Sequence, residues 1–307
     1  MIDKNYDELA EGNLDNIIYG DTDSIFLHVE QYAIKYCKEK FNEDFSKLTE
    51  DRIIEIINEI IKFVTDKINN TYLVDFSSVF GIKKNHNRMT FKSEITASVT
   101  YFLNVKKKYA LKVVSVEGVK VKKYDLKGLE TRRSDYSIFS KKLVGDIIYD
   151  YILEKKTLSE IVQFVVAKKE EAIELIRKGS PDVATPKSFS KTLEDYKGMP
   201  GHIKAMLFYN ALVGKEEFRS GSKGYLFYIT GINEDLAPKD VYKRYANYTS
   251  TKTAVVIPFG KTLPEYLNPD IEKMLDNVYT KRLTNLLQPM DIIINSGNVE
   301  ENLAMEF

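Results

Sequence analysis

The sequence predicts an α+β fold: an antiparallel sheet backed by helices, followed by a mainly helical part. Three observations carry this expectation. Strand-like apolar runs flank a sharp turn in "NIIYGDTDSIFLHVE", residues 16–30. Two later runs, "MTFKSEITASVTYFLNV" and "KKYALKVVSVEGV", are rich in Val, Thr, Tyr and Phe, the residues that suit a pleated, half-buried surface. Between and after them, apolar residues recur at helical spacing.

Taken in order, "NIIY" and "IFLHV" read as two strands joined at Gly20–Ser24. In "TEDRIIEIINEIIKFVTDKINNTY", Ile53, Ile56, Ile57, Ile60, Ile61, Val64 and Ile68 mark one face of a helix. Thr49 is its N-cap, and Glu50 and Asp51 suit the positive end of its dipole. The texture changes after "LKGLETRRSD", so a domain boundary is expected near Asp125. "DYSIFSKKLVGDIIYDYIL" and "TLSEIVQFVVAKKEEAIELIRK" read as helices, the second ending near Gly179. "GSPDVATPKSFS" reads as a loop from its Gly, Pro and Ser. "GHIKAMLFYNALV" is a further helix. The short strands "GYLFYIT" and "TAVVIPF" follow, with more helix to about Gln288.

With 307 residues, 43% of them hydrophobic, the chain can bury one large core or two ordinary ones, and wholesale disorder is excluded. Lys plus Arg equals Asp plus Glu at 45 each, so net charge names no partner, but the distribution is uneven. Residues 81–123 hold eleven Lys/Arg against Glu94 and Glu117, while residues 1–30 hold eight acids and one Lys. A basic block beside an acidic one suits a polyanion held near a metal; a solvated charged face is the alternative. Cys37 is the sole cysteine, so no internal disulfide forms and a reducing, cytoplasmic setting is expected. The N-terminal residues lack the apolar core of a signal peptide, and no apolar run is long enough for a membrane span.

The turn carries the chemistry. In a strand, residues i and i+2 share a face, so Asp21 and Asp23 can point off one side of the hairpin tip. Two carboxylates this close repel unless a cation lies between them, and hard Mg²⁺ takes carboxylates together with substrate phosphates. Gly20, Thr22 and Ser24 are small and leave room for such a substrate. An ordinary Asp-rich turn is the alternative. A calcium loop is excluded, because Ile25 falls where a ligand is needed.

"YGDTDS" between two strands resembles the last acidic motif of family B DNA polymerases, the palm hairpin that holds catalytic metal. The resemblance implies that Asp23 ligates both of two Mg²⁺ ions and that Asp21 sits beside them. "FKSEITASVTYFLNVKKKYAL" resembles the palm segment that follows, with Glu94 as the acid near the metal. Lys106, Lys107, Lys108 and Tyr109 match the family's Lys-Lys-Arg-Tyr motif, which lies in the minor groove at the primer terminus. Lys108 stands where the family has Arg, which removes a planar fork of donors. Minor-groove acceptors occur at every base pair, so a Lys there tests pairing without reading sequence. On this resemblance Lys107 counts with Asp21 and Asp23 among the catalytic residues, and Tyr109 holds the primer backbone. "LKGLETRRSD" resembles the palm-to-thumb junction, with Arg132 and Arg133 near duplex phosphate. "MPGHIKAMLFYN" resembles a phage-type thumb segment, with His202 and Lys204 facing the DNA backbone. The tail "EENLAMEF" resembles a sliding-clamp peptide through Leu303, Met305 and Phe307, with a frayed terminus as the alternative.

The implied assignment is palm over residues 1–125 and thumb over 126–307, with the clamp-binding tail at the end. The implied reaction is template-directed transfer of a nucleotide from a dNTP to the primer 3′-OH. The family's first palm motif, its fingers helix and its exonuclease motifs are not found in the 307 residues. The expectation is therefore a split, phage-type polymerase, inactive until a second chain supplies those parts and shares the two Mg²⁺ ions. The rival readings are a non-catalytic module that binds primer–template DNA and, more distantly, a metal-dependent nuclease.

Overall fold

The computed structural model describes residues 17–21, 24–83, 86–129, 135–295 and 298–301. The fold is α+β, as the sequence predicts, and helices and antiparallel sheets make up both of its compact units. One unit is Met1–Val99 with Leu111–Asp125, and the other is Thr100–Ala110 with Leu126–Phe307.

In the first unit, β1 (Ile17–Asp21) and β2 (Ser24–Leu27) form a two-stranded antiparallel sheet. Helices α1 (Glu30–Tyr36), α2 (Glu50–Lys67) and α3 (Leu73–Val79) follow. Thr49 caps α2, its Oγ1 accepting from the Arg52 N–H at 3.3 Å, and Glu50 and Asp51 lie in the first turn. Ile56, Ile60 and Val64 of α2 pack on Ala33, Tyr36 and Cys37 of α1 and the turn after it. That shared face is the core of this part, and it explains why the isoleucine spacing takes a helix. Two of these helices, α1 and α3, go beyond the sequence expectation.

The strands β3 (Ile95–Phe102), β4 (Tyr109–Val116) and β5 (Val119–Lys127) form a sheet in that order. The middle strand β4 is the most buried, with Ala110, Leu111, Val113 and Val114 inside. A two-residue turn at Glu117 (φ 49°) and Gly118 (φ 82°) joins β4 to β5, the paired positive φ values of a type I′ hairpin.

The second unit opens with α4 (Ile138–Asp146), which runs on as a wider helical turn over Ile147–Ile152. α5 (Leu158–Arg177) begins with a capping box: Thr157 and Glu160 each accept from the other's backbone N–H, at 3.2 and 2.9 Å. The sheet here has order β6 (Thr185–Ser188), β7 (Lys223–Ile232) and β8 (Ala254–Pro258), with β9 (Leu267–Pro269) also pairing β7. β6 corrects the expected loop over "GSPDVATPKSFS". Its Pro186 is tolerated because β6 lies at the sheet edge, where a missing N–H costs no ladder bond. α6 (Gly201–Val213) packs on β8 and buries Ile203, Met206, Phe208 and Leu212. α7 (Lys239–Asn247), α8 (Ile271–Leu275) and α9 (Lys281–Leu287) complete the helices. Tyr279, fully buried between the last two, donates from its hydroxyl to the Val165 carbonyl at 2.8 Å. A closing hairpin, β10 (Ile292–Asn295) with β11 (Asn298–Glu301), was not expected. Among the described residues no helix is long and apolar enough to cross a membrane.

Candidate functional site

The acidic hairpin is antiparallel, with Tyr19 opposite Phe26, Gly20 opposite Ile25 and Asp21 opposite Ser24. The Tyr19 and Phe26 rings meet edge-on at 5.8 Å, a cross-strand pair that helps fix the register. That register leaves only positions 22 and 23 between the strands. Asp23 itself lies outside the described residues, and Asp21 is described by its place at the end of β1. Packing does not demand glycine at position 20. A Cβ there would meet only Ser24 O at 3.9 Å and Ile25 Cγ2 at 4.0 Å, ordinary contacts.

Glu94 is exposed just before β3, and its carbonyl accepts from the Glu117 N–H at 2.9 Å. Lys92 pairs with the Glu117 carboxylate at 2.8 Å and holds it below its usual pKa. The structure thus brings Glu94 together with Lys92 and Glu117. Among the described residues it forms no group of three His, Cys, Asp or Glu side chains able to hold a metal.

The basic motif sits on the β3–β4 hairpin, in the second unit. The Leu103 N–H donates to the Lys108 carbonyl at 3.1 Å and closes the tip. Lys106 and Lys107 are exposed, whereas Lys108 and Tyr109 are half-buried. Lys107 takes a left-handed backbone, φ 64°. The Tyr109 ring lies 5.7 Å from that of Phe102, so one strand of the hairpin supports the motif's aromatic residue from the other. Tyr101, next in line, donates its hydroxyl to the Leu286 carbonyl of α9, and burial raises its pKa. The hairpin is therefore pinned to a helix of its own unit, while Lys106 and Lys107 are exposed.

His202 lies in the first turn of α6 and Lys204 two residues on, half-buried and exposed respectively. Burial pushes the His202 pKa down. The nearby Lys187 charge acts in the same direction, and a hydrogen bond with the Ser188 backbone opposes both. Lys187 on β6 is a neighbour that sequence reasoning did not name; the misread loop around Pro186 hid it. Neither Lys187 nor Lys204 has an ion-pair partner among the described residues. Arg132, Arg133, Leu303, Met305 and Phe307 lie outside the described residues.

A model of DNA polymerase family B matches residues 4–277. The chain belongs to DNA polymerase family B. Over 207 residues it is 27% identical to a DNA polymerase alpha catalytic subunit of Oryza sativa subsp. japonica, covering 65% of this chain and 11% of that one. The chain therefore spans only 11% of the length of that relative. The family match takes in the acidic hairpin, the basic hairpin and the start of α6, and it stops before the tail.

His202 makes one part of this arrangement sensitive to pH. Its folded pKa lies below the ordinary value near ~6.5, so above that value both folded and unfolded forms are neutral and nothing is lost. As pH falls through that value towards the depressed folded one, the unfolded chain takes up the proton first and stability drops. The melting temperature of His202→Gln should fall less over this window than that of wild type. Equal falls in the two proteins would place the acid sensitivity elsewhere.

Proposed function

We propose that the chain is the C-terminal part of a phage-type replicative DNA polymerase, contributing the end of the palm (residues 1–125) and the thumb (126–307) to template-directed nucleotidyl transfer. What supports this most is the family match over residues 4–277 taken together with the antiparallel pairing of the strands on either side of Thr22 and Asp23.

The donor set of the acidic hairpin fits Mg²⁺. Asp21 and Asp23 offer hard oxygen ligands one residue apart, and a position 20 without a side chain leaves the approach open for substrate phosphate. When bound, two such ions favour the primer 3′-alkoxide and neutralise the leaving pyrophosphate. On the basic hairpin, Lys107 donates to minor-groove acceptors of the terminal base pair, with Lys106 and Lys108 beside it, and Tyr109 holds the primer backbone. The exposure of Lys106 and Lys107 on a pinned hairpin suits that role. Arg132, Arg133, His202 and Lys204 meet duplex phosphate, and Lys187 adds a cation beside His202. Glu94 stays near the metal as a neighbour rather than a ligand. A second chain supplies the first palm carboxylate, the fingers that grip the dNTP, and the exonuclease.

The direct test is binding of a primer–template duplex by the full chain without metal, across a range of salt. Binding that weakens steeply with salt is expected. A chain that bound no duplex at low salt would overturn the reading.

We assign the acidic-apolar tail to a sliding clamp. Removing residues 303–307 should shorten products on long templates when the cognate clamp is present. It should leave single-nucleotide insertion unchanged, because that step uses none of those side chains. Equal product lengths with and without the tail would return it to a frayed terminus.

A further inference from the structure

Gly128 follows β5 and lies against the back of the basic hairpin. Its φ is +63°, a left-handed conformation that glycine adopts freely and most side chains resist. A Cβ at this position would stand 2.5 Å from the Lys107 carbonyl oxygen, 3.4 Å from its carbonyl carbon and 3.0 Å from Lys108 Cγ. The first distance is below any real contact, and the obstructing atom is backbone, which cannot swing aside as the end of a side chain can. Lys107 is itself left-handed at φ 64°, and the tip is closed by the Leu103–Lys108 bond, so the loop has little slack to absorb a push. Gly118 provides an internal comparison. It is also left-handed, at φ +82°, yet a Cβ there would meet nothing within 4 Å.

We propose that Gly128 is the positioning residue of the basic hairpin: the missing side chain lets the end of β5 seat directly on the Lys107 carbonyl and so sets where the Lys107 ammonium is presented to DNA. This rests on the reading of Lys107 as a DNA contact. It also gives the "LKG" that precedes Arg132 and Arg133 a task beyond linking two units, since the same backbone that leads to those arginines supports the lysine loop. Gly128 touches no substrate and acts only through Lys107 and Lys108.

Asparagine tolerates left-handed φ, so Gly128→Asn isolates the contact with Lys107 from backbone strain. Gly118→Asn is the matched control. The measurement is equilibrium binding of a primer–template duplex by the full chain, with melting temperature taken in parallel. Lys107→Ala should weaken binding about tenfold, the scale of one charge-assisted hydrogen bond. Gly128→Asn should weaken it comparably, whereas Gly118→Asn should bind as wild type. In the Lys107→Ala background, adding Gly128→Asn should cost little further, because the group it mispositions is gone. A merely structural defect would add fully in both backgrounds and would track the melting temperature. If Lys107→Ala weakens binding while Gly128→Asn binds as wild type or adds in full to it, the positioning role is wrong and the DNA reading stands. If Lys107→Ala itself binds as wild type, the hairpin is not a DNA contact and both fall.

Discussion

Replacing Asp23 with alanine should slow primer extension by the reconstituted two-chain enzyme at least ~10³-fold, about 4 kcal/mol of transition-state stabilisation. Binding of duplex DNA without metal should be unchanged. The argument begins at the register of the hairpin. The pairing of β1 with β2 runs from Ile17 opposite Leu27 to Asp21 opposite Ser24, and position 23 is not among those pairs. Replacing Asp23 should leave the Tyr19–Phe26 pair and the strand pairing intact. The loss would then be electrostatic. A ligand that offsets developing negative charge contributes chiefly in the transition state, which is why the rate should fall and metal-free binding should not. Asp21→Ala should also be severe but partly restored by Mn²⁺, since Asp21 is assigned beside the ions and not between them. Near-normal extension by Asp23→Ala would show that the acidic pair is an ordinary turn.

The parts of this molecule that local pattern specifies were legible in its sequence. Thr49 and the isoleucines of α2 announce a cap and one buried face, and "TLSEIVQFVVAKKEEAIELIRK" reads as the helix that α5 proves to be, although its capping box at Thr157 and Glu160 was not named from the sequence. α1 and α3 escaped for physical reasons. In α1 and just after it the buried Ala33, Tyr36 and Cys37 are interleaved with charged residues, and tertiary contact with α2 supplies what local propensity lacks. α3 reverses the usual signal: Phe76 and Val79 are exposed at 55% and 80%, while Ser77 is buried with its hydroxyl on the Leu73 carbonyl. β6 was hidden by Pro186, which punctuates a loop and an edge strand alike. The candidate site divides in the same way. The Lys106–Tyr109 motif and the acidic turn are contiguous and could be named from the string. Gly128 against Lys107, and Lys187 beside His202, are meetings of segments distant in sequence, which no periodicity records.

Extension should also be absent from this chain by itself and present when the second chain is added with Mg²⁺. Two-metal transfer needs carboxylates on both sides of the ion pair, so that the attacking and leaving oxygens are both held. On the proposed reading the acidic hairpin provides one side. Glu94, the acid the family resemblance puts near the metal, is exposed beside Lys92 and Glu117, where an ammonium already compensates the local negative charge. The triphosphate of the incoming nucleotide requires cations as well. The lysines of the basic hairpin are assigned to the minor groove and those near α6 to duplex phosphate, and the fingers helix that would supply cations for the triphosphate is not found in the sequence. The second chain is to be sought by co-purification from the native source and recognised by a first palm carboxylate motif and a fingers helix. The decisive comparison is one primer–template, one Mg²⁺ concentration and three samples: this chain, the second chain, and both. Extension only in the mixture, abolished again by chelation of the metal, is the expected result. Robust, metal-dependent extension by this chain alone would show that its 307 residues assemble both sides of the ion pair, and the divided-enzyme reading would fall.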